Sequence, residues 1–130
     1  MMTTAALGFI KDAMDSAGIP YEFMEFTSDV SSIPAYWVGS YSEVTPGAED
    51  GKQEAQFILT GTGKGSWLDL EKQKAIIEQL FPMIGGRTAV LPNGNGIAVF
   101  YGNAFPVPTG EGSLKRLQIN LDLKEWSVKK

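Results

Sequence analysis

The fold of this chain is decided by the stretch LKRLQINLDLKEW, residues 114–126, in which apolar and polar side chains alternate. The apolar positions on one side of the alternation are Leu117, Ile119, Leu121 and Leu123. Alternation of this length is typical of an antiparallel strand with one face on a hydrophobic core and the other face in water. The sequence therefore predicts a long, half-buried strand over these residues.

This strand is long for the chain that contains it. At ~3.3 Å per residue, a strand over residues 114–126 spans roughly 43 Å. A compact domain of 130 residues has a radius of gyration of about 14 Å, which corresponds to a diameter of roughly 36 Å. We therefore expect the strand to bulge, to bend, or to run beyond its own domain toward a partner.

Composition excludes several kinds of chemistry. The chain has no cysteine and no histidine, so it has no disulfides, no thiolate nucleophile and no imidazole base or ligand. No apolar run approaches the ~20 residues of a membrane span, and residues 1–10 lack the basic start of a secretory signal. We expect a soluble intracellular protein that is not an enzyme and has no catalytic residues, no cofactor, no metal site and no membrane partner.

Charge is distributed unevenly along the chain, whose net charge is −4. Residues 1–50 contain eight acidic residues and one basic residue, whereas residues 51–130 contain seven acidic and ten basic residues. The first part therefore has a charge of −7 and the second of +3. Opposite charges of this kind suit head-to-tail contact between identical subunits, because a heterologous interface needs two different complementary patches. A solvated surface with uneven statistics explains the same numbers equally well.

Periodicity and turn signals predict a single α+β domain over residues 1–130, with two helices packed on a mainly antiparallel sheet in the order α-β-β-β-α-β-β-β. The first helix covers residues 3–17, and the second starts at a Ser66 cap and ends near Phe81. The predicted strands cover residues 21–26, 36–44, 53–60, 88–91, 97–102 and 114–126. A Pro46-Gly47 turn and an acidic stretch to Gly51 separate the second and third strands.

Residues 103–113 form a predicted loop rich in proline and glycine. Phe105 and Val107 each stand directly before a proline, which holds the backbone extended. Two prolines also remove two N–H donors, so the segment is unsuited to a central strand. We predict an arm that contacts a partner subunit; the alternative is that Phe105 and Val107 fold back onto their own core.

The glycine-rich stretch TGTGKGS, residues 60–66, lies between a strand and a helix, where phosphate-binding loops are found. Its spacing fits neither a P-loop, because Gly65 separates Lys64 from Ser66, nor a dinucleotide fingerprint. We therefore expect a flexible turn with a basic tip. A small anion- or nucleotide-binding module built on the Gly61–Ser66 turn remains the alternative function.

The carboxylates show no catalytic or calcium-binding spacing. Glu22 and Glu25 are expected to be solvent-exposed positions around a short strand, and Asp12 and Asp15 are expected on the exposed side of the first helix. Basic and aromatic residues near the C-terminus are too sparse for a specific nucleic-acid surface. We expect no specific nucleic-acid partner.

Three stretches together resemble a family of phage proteins. They are YWVGSY at 36–41; FILTG at 57–61 with GSWLDLE at 65–71; and GIAVFY at 96–101 with PVPTG at 106–110 and LQINL at 117–121. These stretches resemble the tail-completion or tail-terminator proteins of long-tailed phages and prophages, which join heads to tails. The matching residues are strand and turn patterns, and no catalytic residues carry over because that family is structural.

The resemblance implies a compact α+β subunit that forms a homo-oligomeric ring, typically a hexamer, at the phage neck. Its partners would be tail-tube and connector proteins, and it would pass from the host cytoplasm into the virion. A tail-tube or capsid-decoration subunit is the alternative within the same class. We predict that the subunit or partner interface includes Ile33, Phe105, Val107, Arg116 and Lys124.

Overall fold

The structure, a computed structural model, describes residues 3–29, 31, 33–45, 52–64, 67–110 and 112–127. The two helices are α1 (Thr4–Ser16) and α2 (Trp67–Leu80). The six strands are β1 (Tyr21–Phe23), β2 (Ala35–Thr45), β3 (Lys52–Lys64), β4 (Arg87–Val90), β5 (Gly96–Pro106) and β6 (Leu114–Trp126). The predicted Pro46-Gly47 turn, the acidic stretch to Gly51 and the Ser66 cap lie outside the described residues.

The six strands form one sheet in the spatial order β1-β2-β3-β6-β5-β4. The first two strands are parallel, and each remaining neighbouring pair is antiparallel. The predicted α+β class, with a mainly antiparallel sheet, is therefore confirmed. The two longest strands, β3 and β6, lie side by side in the middle and pair without interruption from Lys52 with Trp126 to Lys64 with Leu114.

Both helices pack on the same face of the sheet, which we call the inner face. Alternate residues of the central strands join α1 and α2 in one core, as the sequence alternation predicts. Its largest fully buried side chains are Trp37, Phe57, Phe81, Ile10, Met14, Leu59, Leu70, Ile77, Ile97, Ile119, Leu121 and Leu123. The opposite, outer face carries the other residues of each strand.

The strand β3 continues through the glycines that were predicted to form a flexible turn, and that prediction is wrong for residues 61–64. Gly61 pairs with Trp37 of β2 on one side and with Leu117 of β6 on the other. A Cβ atom at Gly61 would lie 2.7 Å from the Trp37 ring. Glycine is needed here because the indole of Trp37 lies against the backbone of β3. The indole Nε1 donates a hydrogen bond of 2.7 Å to Gln73 Oε1 in α2.

The strand β5 is longer than predicted, and the predicted loop at 103–113 is wrong for residues 103–106. Its pairing with β6 shifts register between Tyr101 and Asn103, which makes Gly102 the extra residue of a bulge. A Cβ atom there would lie 2.8 Å from the Asn120 carbonyl oxygen. The shorter strand β4 pairs only with Gly96 to Val99, so the later half of β5 lies at the sheet edge, where Pro106 is tolerated.

The length of β6 is accommodated inside the domain. The strand is paired with β3 along its whole length and with β5 from Gly96 to Pro106. The interruptions of regular pairing lie in other strands of the sheet. They are the bulge in β5 and a register shift between Glu43 and Thr45 of β2. The alternative that β6 runs beyond its own domain is therefore wrong, and bulges of this kind let long strands bend around a core.

Candidate functional site

The outer face of the sheet is the surface that neither described helix covers. Its centre is uncharged and half-buried, and it includes Ile58 and Thr60 of β3 beside Gln118 and Asn120 of β6. The amide side chains are joined in a row. Gln118 Nε2 donates to Asn120 Oδ1 at 3.0 Å, and Asn120 Nδ2 donates to Asn103 Oδ1 at 2.9 Å. Charged side chains lie at the two ends of this uncharged centre.

At one end, three predicted interface residues come together in what we call the basic patch, formed by Phe105, Val107 and Arg116. The bulge in β5 turns Phe105 to the outer face, where it pairs with Gln118 and is 42% exposed. The N–H of Val107 donates to the Arg116 carbonyl oxygen at 2.9 Å, which extends the ladder beyond β5. Phe105 is thus not part of the core, and it flanks a cationic side chain together with Val107.

The guanidinium of Arg116 has no hydrogen-bond or ion-pair partner among the described residues. Its Nε atom is buried beside the neighbouring strands and makes no hydrogen bond. On β3, the residue paired with Arg116 is Thr62, which is itself buried. A buried N–H group without a partner is unfavourable, so a carboxylate supplied from outside the subunit would improve the environment of this side chain.

At the other end of the same two strands lies a concave region that we call the acidic depression. It has a volume of about 520 Å³. The side chains that give it its chemistry are Glu54, Met83, Phe100, Asp122 and Lys124. Two carboxylates, one ammonium group and two apolar side chains make a site with a formal charge of −1, which fits a cation with an apolar stem.

The ring of Phe100 already accepts a cation. Lys124 Nζ lies 5.7 Å from the ring centroid, within the range of a cation–π interaction. Asp122 is paired with Phe100 in the β5–β6 register, and its carboxylate forms no hydrogen bond or ion pair within the described part of the chain. Tyr101 also lines the depression, and burial, followed by the nearby carboxylate of Glu78 in α2, raises its pKa.

Apolar side chains also stand out beside the depression. Met83 lines it and is 61% exposed, and the adjacent Ile84 is 90% exposed. Exposed large apolar side chains that cluster beside a charged pocket are typical of contact surfaces. Sequence reasoning missed this region because Met83 and Ile84 follow the predicted end of the second helix near Phe81 and are not part of any periodic pattern.

The remaining predicted interface residues lie apart from the basic patch. Lys124 is on the outer face but belongs to the acidic depression, eight residues along β6 from Arg116 and therefore roughly 26 Å away. Ile33 is half-buried and precedes β2, at the end of the sheet where Lys64 N–H donates to the Pro34 carbonyl oxygen at 3.0 Å. The structure brings together three of the five predicted residues.

A buried carboxylate on the inner face was also missed by sequence reasoning. Glu125 is 3% exposed and lies on the apolar side of the β6 alternation. Its place in that alternation was the signal from which its burial could have been predicted. Its Oε2 accepts hydrogen bonds from Thr3 Oγ1 at 2.9 Å and from Asn95 Nδ2 at 2.8 Å. Because Thr3 also accepts from the Ala6 N–H as the cap of α1, Glu125 fixes the start of that helix and stabilises its positive end.

The glycine-rich stretch does not offer free backbone groups over its described part. Residues 61–64 are paired with β6, and residues 61–63 are also paired with β2, so the sheet uses the N–H groups that a phosphate would need. Residues 61–64 therefore offer no free N–H groups to an anion, whereas residues 65–66 of the proposed turn lie outside the described residues.

Within the described ranges, no group of three or more acidic side chains is placed to hold a metal ion. Neither α1 nor α2 is long and apolar enough to cross a bilayer. No protein-family model matches the chain, and no curated protein matches it either. The features of the outer face that bear on function are the basic patch, the acidic depression and the uncharged centre between them.

Proposed function

We propose that this protein is a structural subunit of a phage or prophage virion, which assembles as a ring at the head–tail junction and completes or terminates the tail. The observation that carries the proposal is the uncovered outer face, with an unpartnered cation and two apolar side chains at one end and an acidic, apolar depression at the other. Surfaces with aromatic and arginine anchors are typical of protein interfaces.

The sequence resemblance supplies the biological setting. The strand and turn patterns at 36–41, 57–71 and 96–121 resemble tail-completion proteins, and the ring, its connector and tail-tube partners, and the neck location follow from that resemblance. The two ends of the outer face differ in charge, which supports head-to-tail contact. A heterologous contact of this kind closes into a ring when the rotation between neighbours permits.

Deleting the gene from the phage or prophage that encodes this chain is the direct test. We expect the lysate to contain capsids and tails that do not join, as seen by negative-stain electron microscopy, and we expect the gene supplied in trans to restore virions. Normal virions from the deletion strain would contradict the proposal. Labelled protein should be found at the neck alone; a label along the whole tail would identify a tail-tube subunit instead.

Assembly of the purified protein is the second test. Light scattering over a range of protein and salt concentrations should reveal an oligomer of ring mass, which weakens as salt screens the charged ends. Purified tail tubes are included because a ring can require its template. A monomer under every condition, with or without tail tubes, would contradict the ring.

A further inference from the structure

We infer that Arg116 of one subunit inserts into the acidic depression of a second copy, between Asp122 and the Phe100 ring, and that this contact joins neighbouring subunits head to tail. This inference deepens the proposed ring and rests on it, because it names the two surfaces through which the copies meet. Both surfaces belong to the outer face of β5 and β6.

The two groups cannot meet within one subunit. Arg116 and Asp122 are on the same face of the same strand, six residues apart, which is roughly 20 Å at ~3.3 Å per residue. Neither side chain has a hydrogen-bond or ion-pair partner in the described part of the chain, although Arg116 Nε is buried. A cation and an anion held in this way on one surface are complementary only between copies.

The chemistry of the depression fits a guanidinium group. A planar guanidinium can stack on an aromatic ring and form two parallel hydrogen bonds to a carboxylate at the same time. The depression offers both partners, since Phe100 and Asp122 are directly opposite in the β5–β6 register. Lys124 Nζ lies within cation–π range of this ring, so the incoming guanidinium would displace that ammonium from the ring.

The apolar surroundings also match. Arg116 is flanked by Phe105 and Val107, and the depression is bordered by the exposed side chain of Met83. Contact between these side chains would exclude water from the ion pair, which strengthens a charge interaction. The occupant that these observations favour is therefore a second copy of this chain rather than a small molecule.

The test uses charge reversal in two separate variants, Arg116→Glu and Asp122→Arg, each in the full chain. Each variant alone should need roughly tenfold more protein, or more still, to assemble, because like charges then face each other at every contact. An equimolar mixture should assemble as the wild type does, since the glutamate introduced in one variant would then face the arginine introduced in the other in an alternating ring. The matched control is Lys72→Glu on the exposed side of α2, which should assemble normally.

Introduced cysteines give a second readout, because the natural chain contains none. The double variant Arg116→Cys with Asp122→Cys should form, on mild oxidation, a ladder of disulfide-linked species that ends at the ring. The control pairs Arg116→Cys with Lys72→Cys and should give no ladder. A product limited to dimers would overturn the head-to-tail contact and would indicate a two-fold arrangement.

The outcomes separate this inference from the function on which it rests. The Arg116–Asp122 contact would be overturned, and the ring left intact, if the wild type forms rings and Arg116→Glu assembles normally. The same conclusion would follow if both single variants fail to assemble and their mixture also fails. Thermal unfolding of every variant within a few degrees of the wild type is required for the comparison. A wild-type protein that is monomeric even with tail tubes would overturn the proposed function and this contact together.

Discussion

The two faces of the sheet use the same strands for different purposes. On the inner face, Phe57 is completely buried beneath the helices, whereas its neighbour Ile58 lies half-buried on the outer face. The inner residues fill one continuous core with α1 and α2. Neither of the two described helices packs against the outer residues, yet their centre is uncharged and their ends carry opposite charges. The buried core is thus on one face, and we propose that the other face is available for recognition.

The largest predicted effect is a loss of stability that distinguishes Phe57 from Ile58. We expect Phe57→Ala to lower the free energy of unfolding by about 3–5 kcal/mol, because it leaves a cavity in a packed core. The matched variant Ile58→Ala should lower it by about 1 kcal/mol or less, since that side chain is already half in water. Urea denaturation followed by circular dichroism measures both. Equal losses would mean that the outer face is part of the folding core.

A smaller loss of stability is expected for the buried carboxylate of Glu125 on the inner face. Replacing Glu125 by alanine should lower the free energy of unfolding by about 1–3 kcal/mol, because the partly buried donors of Thr3 and Asn95 lose their acceptor. The matched variant is Asp122→Ala, three residues earlier on the outer face, which should change stability by less than about 0.5 kcal/mol. If the two variants unfold at the same urea concentration, the role assigned to Glu125 is wrong.

The outer face should respond in assembly rather than in stability. The double variant Phe105→Asp with Val107→Asp should shift the free energy of unfolding by no more than about 1 kcal/mol, as expected for surface positions. The same variant should fail to form rings and to join heads to tails, because the apolar sides of the basic patch are lost. Light scattering and calorimetry on one sample decide between the two roles. Unfolding or aggregation of the monomer would instead place these residues in the core.

The smallest effect is local and depends on pH. Hydrogen bonds from Ser28 and then Thr27 lower the pKa of Glu22 to about 2 from its usual 4.5. Its ionised form therefore anchors residues 27–28 at every pH above 4.5, and the anchoring is lost as the pH falls through about 2. Titration of the Thr27 amide shift by NMR should show this midpoint. The variant Ser28→Ala should raise it toward 4.5, and an unchanged midpoint would contradict the assigned cause.

Much of the inner face could be predicted from the sequence because alternation is a local property. The bounds of β6 and the buried side of β3 follow from period-two patterning alone. The extension of β3 through Gly61 could not be predicted in this way, since its cause is the indole of Trp37, more than twenty residues away in the chain. Local rules assign such a glycine to a turn.

The candidate site was only partly predictable for a similar reason. Phe105 and Val107 were identified from the prolines that follow them, but their approach to Arg116 depends on the bulge at Gly102, which reverses the faces of β5. The acidic depression was not predicted, because Met83, Phe100 and Asp122 come from three separate segments. That Phe105, Val107 and Arg116 contact a partner stays a prediction.

The central ladder of the sheet has a consequence for how the chain becomes folded. Its pairs join residues that are 50 positions apart at Lys64 and Leu114 and 74 apart at Lys52 and Trp126. Contacts of such high sequence separation form slowly, because a long loop must close before they contribute. During synthesis β3 could pair with β2 but not with β6 until β6 has left the ribosome. A nascent chain would therefore lack the outer face, and subunits would be unable to join one another before translation of β6 is finished.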